Sequence, residues 1–224
     1  MRRRFERQRM YIGVIVVIAT FLLFGSSVAF SADKPAAPAY QAQTGIKKDI
    51  PAKSDMDTLT AIFTRRSIRN YTNQPVSDAT VKLLLQAAMA APSAKNDQSW
   101  EFIIIRDKDT LKKIVSFHPF SKHLPGAQVG IVVCGNKKLE AAPGHWIPAA
   151  SNASMNILLA AHSLGLGAVW TTFYPYADRT EGIRKLLNLP DHIMPLNIIP
   201  IGYPAVPTNY QDRFNPAKIH YEKW

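Results

Sequence analysis

From about residue 55 onward, the sequence alternates between segments in which apolar residues recur at helical spacing and short, continuous apolar runs. Helical spacing predicts a helix that buries one face, and a short run rich in Ile and Val predicts a buried strand. The predicted helices begin at capping residues and extend from Asp55 or Asp57 to about Arg65, Ser77 to about Ala90, Asp109 to about Phe117, Pro148 to Leu164 and Asp178 to Leu187. The predicted strands are Trp100–Arg106, Val129–Gly135, Ala168–Thr172 and Leu196–Ile201. This alternation predicts a layered α/β or α+β fold.

The first 32 residues differ from the rest and predict an export signal peptide or an N-terminal membrane anchor. Five arginines precede the apolar run Tyr11–Phe24, and small residues follow at 25–29. Positive charge before an apolar run keeps that end in the cytoplasm, which puts the following domain on the periplasmic or extracytoplasmic face of the membrane. Arg2-Arg3-Arg4-Phe5 resembles a twin-arginine export signal, and an ordinary basic signal peptide is the alternative. Residues 33–54, rich in Ala, Pro, Gln and Lys, predict a linker to a domain at 55–224.

Composition limits the possible functions. The net charge is +11, but outside the first residues the cations are dispersed, so nothing supports nucleic-acid binding. The chain has one cysteine, Cys134, which excludes an internal disulfide and a cysteine metal site. The six histidines show no metal-ligand spacing, and no metal is predicted.

A basic cluster follows the first predicted helix. Arg65, Arg66 and Arg69 surround Ser67 within five residues. Guanidinium groups form bidentate, charge-assisted hydrogen bonds, so this cluster suits a dianionic phosphate. A solvated basic helix end that complements the helix dipole is the alternative interpretation.

Four segments together resemble the FMN-dependent nitroreductase family. They are the basic cluster Arg65–Arg69, the segment Pro92-Ser93-Ala94-Lys95-Asn96-Asp97-Gln98-Ser99-Trp100, the helix end and strand Asn156–Trp170, and the tail from Asp212-Arg213-Phe214 to Trp224. The second segment matches the family pattern Pro-Ser-x-x-Asn-x-Gln-Pro-Trp except that Ser99 replaces proline. The order and spacing of these segments cover residues 55–224.

The resemblance implies an α+β, three-layer fold with a mixed central sheet wrapped by helices, in an intertwined homodimer that binds FMN at its interface. The small-residue face of the helix Pro148–Leu164 also favours a helix partner, and we expect it to contribute to the dimer.

The resemblance also assigns cofactor-binding residues. Arg65 and Ser67, with Arg66 beside them, correspond to phosphate contacts, and Arg69 corresponds to a contact with N1 and O2 of the flavin ring. The remaining assigned residues are Asn96 at the pyrimidine edge, Pro92 and Ser93 from the other chain, Trp170, Thr171 and Thr172 along the flavin with a backbone N–H toward N5, and Arg213 at the phosphate. No catalytic side chain is expected, because the flavin performs the chemistry.

The implied function is ping-pong hydride transfer from NAD(P)H to nitroaromatic, quinone or similar electron-poor acceptors. An exported domain meets little NAD(P)H, so a membrane quinol or reduced flavin is an alternative donor. Two other functions stay open: a flavin-destructive or dehalogenating branch of the superfamily, and a membrane-tethered flavin-binding electron carrier without NAD(P)H turnover.

Overall fold

The computed structural model describes residues 54–207, 209 and 211–224. The predicted export signal and almost all of the predicted linker, residues 1–53, lie outside the described residues. Within the described part of the chain, no helix is both long and apolar enough to cross a membrane.

The described residues form five α-helices and five strands, in the order that the apolar pattern predicts, with one of the four predicted strands divided in two. The helices are α1 Thr58–Thr64, α2 Asp78–Met89, α3 Lys108–Phe117, α4 Trp146–Ser163 and α5 Ala177–Leu187. The strands are β1 Trp100–Ile105, β2 Val129–Asn136, β3 Gly167–Ala168, β4 Thr171–Thr172 and β5 Ile193–Gly202.

The sheet has the strand order β1-β2-β5-β3, with β4 also paired to β5, and these pairings are antiparallel. Alternate residues of β2 face two separate cores. Ile131 and Val133 belong to the core that contains residues of α2 and α4, whereas Val132 and Cys134 belong to the core that contains residues of α3 and α5. Two helical layers therefore enclose the sheet, as the predicted α+β three-layer fold requires.

The N-caps agree with the sequence in two helices and differ in two others. Asp57, one of the two predicted candidates, caps α1, and Ser77 caps α2 as predicted. The prediction of Asp109 as a cap is wrong, because Asp107 accepts the backbone N–H of Thr110 at 2.8 Å and so occupies the capping position. Helix α5 begins after Tyr176 without a side-chain cap, so the predicted cap Asp178 lies inside its first turn instead.

Two predicted strands also need correction. The predicted strand Trp100–Arg106 is only partly buried: Trp100 and Ile105 are buried, but Glu101 and Ile104 are exposed, since among the described strands β1 pairs only with β2. The predicted strand Ala168–Thr172 is divided into β3 and β4. The continuing register places Pro200 opposite the gap, where a residue without an N–H cannot extend the ladder.

Helix α4 begins at Trp146, two residues before the predicted start. Its small residues Ala150, Ala153 and Ala161 are fully buried in the core that also holds Leu84 and Ala88 of α2. The small-residue face therefore already has its partner within the same chain, and the expectation that it contributes to a dimer is wrong.

Candidate functional site

The basic cluster follows α1 and runs along the edge of the sheet. The backbone turns at Arg65, and Ser67 forms a parallel bridge with Ala168 of β3, where the N–H of Ile68 donates to the carbonyl of Ala168 at 3.0 Å. The side chain of Ile68 is buried against Gly167, where an added Cβ would lie 2.5 Å from Ile68 Cγ2. With Ile68 anchored inward, Ser67 and Arg69 on either side are exposed.

The chain after β5 returns to this cluster. Tyr71 bridges Pro204, the N–H of Ala205 donates to the carbonyl of Asn70 at 3.0 Å, and Arg66 Nη2 donates to Gln211 Oε1 at 2.7 Å. These contacts bring Arg213 to the cluster. Two adjoining open clefts result, of about 340 Å³ and about 250 Å³. The larger is lined by Arg66, Ser67, Arg69, Asn209, Gln211 and Arg213.

Four guanidinium groups line these clefts, and no carboxylate forms an ion pair with any of them among the described residues. Partial burial, together with the positive charges of Arg213 and Arg66, lowers the pKa of Arg65. Like charges held this close repel one another, and an anion placed between them would remove that repulsion. The arrangement is suited to a phosphate or another compact anion.

The loop 92–99 is held in an unusual backbone conformation. Lys95, Asn96 and Gln98 have φ values of 51°, 57° and 49°, a left-handed region that non-glycine residues rarely adopt. Ser93 Oγ accepts the N–H of Gln98 at 2.9 Å, and the Asp97 carboxylate accepts the N–H groups of Ser99 and Ala141. Strained loops fixed by several hydrogen bonds occur often at binding sites.

This loop and the arginine cluster lie at opposite ends of the sheet within one chain. Trp100, directly after the loop, pairs with Gly135, which pairs with Met194 near the start of β5. Ser67 bridges Ala168, which pairs with Ile201 near the end of β5. At about 3.3 Å per strand residue, these two points are separated by roughly 20 Å along the direction of β5 alone. One protomer therefore does not bring Pro92, Ser93 and Asn96 together with the arginines.

The third predicted group, Trp170, Thr171 and Thr172, lies between these ends. Trp170 Nε1 donates to Thr172 Oγ1 at 2.8 Å, and β4 pairs with Ile198 and Asn197 in the middle of β5. Two side chains from the segment after α3 fix this strand. His118 Nε2 lies 2.8 Å from the carbonyl oxygen of Thr172, and His123 Nε2 lies 3.0 Å from Thr171 Oγ1.

The sequence-based reasoning did not identify His123 as a site residue. Its partner Thr171 lies far away in sequence, and no local motif marks the imidazole. Burial lowers the pKa of His123 to about 4, and the positive charges of Arg69 and His118 contribute to the shift. At neutral pH, an uncharged imidazole therefore stands between Arg69 and β4.

The other reactive groups of the described chain are not arranged for chemistry. Cys134 is fully buried, and burial raises the pKa of its thiol to about 12. No group of three or more His, Cys, Asp and Glu side chains among the described residues could hold a metal ion.

The chain is similar to known proteins in both sequence and fold. A sequence model of the Nitroreductase family matches residues 62–117 and 118–203. A relative from Methanothermobacter thermautotrophicus, named as an NADH dehydrogenase/NAD(P)H nitroreductase, is 50% identical over 171 residues, which cover 76% of this chain and 90% of that protein.

Two solved structures are similar in both sequence and fold. An FMN-dependent nitroreductase from Clostridium difficile has 29% identity and a TM-score of 0.69, over 74% of this chain and 99% of that chain. A nitroreductase from Desulfovibrio desulfuricans, solved in complex with FMN, has 31% identity and a TM-score of 0.66, over 76% and 99%.

The lowered pKa of His123 predicts a pH dependence of stability. Between its ordinary value of 6.5 and about 4, the unfolded chain binds the proton more readily than the folded chain. The free energy of unfolding should therefore fall as the pH is lowered through this range, and His123→Gln should reduce the fall. Urea denaturation at pH 7 and pH 5 measures the difference.

His145→Gln is the control, since that exposed imidazole makes no side-chain capping bond. An unchanged difference in His123→Gln would contradict the assignment.

Proposed function

The chain belongs to the Nitroreductase family, and we propose that it is an FMN-dependent oxidoreductase that takes electrons from NAD(P)H, or from another donor if it is exported, and reduces nitroaromatic, quinone or similar electron-poor acceptors. The observation that supports this most directly is the set of four guanidinium groups around two adjoining open clefts, with no carboxylate paired to them among the described residues. A flavin mononucleotide ends in a dianionic phosphate, which is the group that such a donor set binds best.

We assign the phosphate to Arg65, Ser67 and Arg213, with Arg66 held beside them by Gln211. Arg69 is assigned to the N1 and O2 edge of the ring, where negative charge collects on reduction. A fixed cation at this edge stabilises that charge and raises the reduction potential. Arg69 is close enough to the imidazole of His123, which contacts Thr171, to add to the lowering of the pKa of His123 that burial mainly causes, so its charge lies near the strand assigned to the ring.

Bound FMN would supply the redox chemistry, accepting a hydride from one substrate and passing electrons to another. The protein would contribute position and electrostatics. Thr171 and Thr172 would present the strand along the ring, while His118 and His123 keep that strand in place through the carbonyl of Thr172 and the hydroxyl of Thr171. Donor and acceptor would occupy the same place in turn, which is a ping-pong cycle.

We further propose that the functional unit is a homodimer. Along β5 alone, the loop with Pro92, Ser93 and Asn96 is separated by roughly 20 Å from the arginine cluster of its own chain, which is large for one flavin ring. A second copy would supply the loop. Asn96 therefore belongs with Pro92 and Ser93 as a contribution of the partner. The tail adds support, since Phe214, Tyr221 and Trp224 are 73%, 83% and 101% exposed, and large apolar side chains this exposed favour an interface.

The arginine assignment predicts different effects for different substitutions. Arg65→Ala and Arg213→Ala should each weaken FMN binding by about 1.5–3 kcal/mol, because each removes a charge-assisted contact. Arg69→Ala should lower the flavin reduction potential more than it weakens binding. Fluorescence titration measures the affinity and dye-coupled reduction the potential. Arg106→Ala is the control, since Arg106 pairs with Asp78 at 2.7 Å outside the cluster. Equal effects of the three cluster substitutions on the potential would refute this division.

The shared site predicts rescue between two defective chains. The double variants Arg65→Ala/Arg213→Ala and Ser93→Ala/Asn96→Ala should each bind FMN poorly. A heterodimer of the two, purified through two different tags, would combine both defects in one site and leave the other site intact. We expect half of the tight FMN binding of the wild-type dimer to return, measured by bound flavin absorbance. Heterodimers that bind no better than either parent would mean that each chain builds its own site.

We propose from the sequence that the domain acts on the outer side of the cytoplasmic membrane. Five arginines before Tyr11–Phe24 favour this orientation. Protease added to intact spheroplasts should digest the domain, and changing Arg2 and Arg3 to Lys should retain it inside if the twin-arginine route is used. Protection of the unaltered protein would contradict export. An outer location would replace NAD(P)H by a donor such as a membrane quinol or reduced flavin.

A further inference from the structure

A cation flanked by two exposed aromatic rings lies beside β4. The guanidinium carbon of Arg179 is 3.8 Å from the centroid of the Tyr176 ring and 5.4 Å from the centroid of the Phe120 ring. Phe120 is 72% exposed and Tyr176 is 49% exposed. The two rings come from different segments of the chain, one after α3 and one before α5, and Arg179 links them.

The position of Arg179 is not explained by helix stability. It lies in the first turn of α5, where the helix dipole favours anions and disfavours cations. No carboxylate of the described residues pairs with it, although Asp178 is its neighbour in sequence. Its Nε is buried without a hydrogen-bond partner in the described part of the chain, and its Nη1 reaches the carbonyl oxygen of Thr172 only at 3.4 Å. The guanidinium is thus held by ring contacts and keeps an uncompensated charge.

The carbonyl of Thr172 connects this cluster to the proposed flavin strand. It is contacted by Arg179 and by His118, while Thr171 contacts His123. The cluster Phe120–Tyr176–Arg179 therefore adjoins the strand end at which substrates would be reduced, and it lies apart from the guanidinium groups assigned to the FMN phosphate.

We propose that Phe120, Tyr176 and Arg179 form a substrate subsite that selects planar aromatic acceptors carrying an anionic substituent, such as a carboxylate. This inference rests on the proposed function. Exposed rings offer faces on which a planar compound stacks. A guanidinium stacked on a ring can still donate from its edge to a carboxylate, and it does so bidentately. The uncompensated charge makes an anion the preferred occupant.

Two acceptors that differ in charge test this selection. The purified, FMN-loaded protein is assayed with 4-nitrobenzoate and with 4-nitrobenzyl alcohol, which have similar shape. In Arg179→Gln, the ratio of the kcat/KM values, benzoate over alcohol, should fall at least about tenfold, because a charge-assisted contact is lost. Arg179→Lys keeps the charge and should recover part of the ratio. Lys122→Gln is the matched control, as it removes an exposed cation from the segment that contains Phe120, and its ratio should stay within about twofold of wild type.

A binding measurement separates this inference from the redox function. Benzoate and benzyl alcohol cannot be reduced at a nitro group, and isothermal titration gives their affinities for wild type and Arg179→Gln without turnover. Selective loss of benzoate affinity in Arg179→Gln supports the subsite, even if neither nitro compound is an acceptor and the proposed function fails. Equal changes for both compounds, or a wild-type protein with no preference for benzoate, would overturn it and would leave Arg179 with only a structural role.

Discussion

The antiparallel pairing of β2 with β5 is the interaction on which the rest of the protein depends. All residues of β2 are buried and those of β5 are almost all buried, so each strand packs against helices on both faces. Each remaining strand of the described residues pairs with one of these two: β1 pairs with β2, and β3 and β4 pair with β5. The register along β5 then sets the position of each candidate site residue, since Ser67 is placed through Ala168 and Ile201, and Thr171 through Ile198.

The arginines of the cluster repel one another, which destabilises the folded chain. The fold brings Arg213 to the sequence-adjacent Arg65, Arg66 and Arg69, so that the four guanidinium groups line two adjoining clefts. Among the described residues, no carboxylate forms an ion pair with them. Solvent screens part of the repulsion, since Ser67 and Arg69 are exposed, while partial burial and, after it, the charges of Arg213 and Arg66 lower the pKa of Arg65. A bound anion would therefore stabilise the folded chain as well as being held by it, because ligand binding and folding are thermodynamically linked.

The same sheet that collects the arginines keeps the loop 92–99 away from them. A strand is stiff, so the two ends of β5 cannot approach each other, and the proposed site, which uses both groups, would be completed by a second copy. Between the two ends stand the imidazoles of His118 and His123 and the guanidinium of Arg179, all in contact with β4. The middle of the sheet thus contributes the surface where selection among substrates is proposed, while its ends carry the residues proposed to contact the cofactor.

The sequence by itself determined the elements and the chemistry of the cluster. Apolar spacing predicted the five helices and the central strands within a few residues, and Asp57 and Ser77 marked two helix starts, because these signals are local. The arginines in the family motifs likewise predicted which residues could hold an anion. Tertiary structure decided what depends on distant neighbours. It made β1 an edge strand and placed Pro200 opposite the gap that divides the predicted strand 168–172. It also packed the small-residue face of α4 within its own chain and brought His123 to Thr171. The physical reason is that burial, pairing and pKa are set by the groups a residue contacts in space, and only the folded chain brings those groups together.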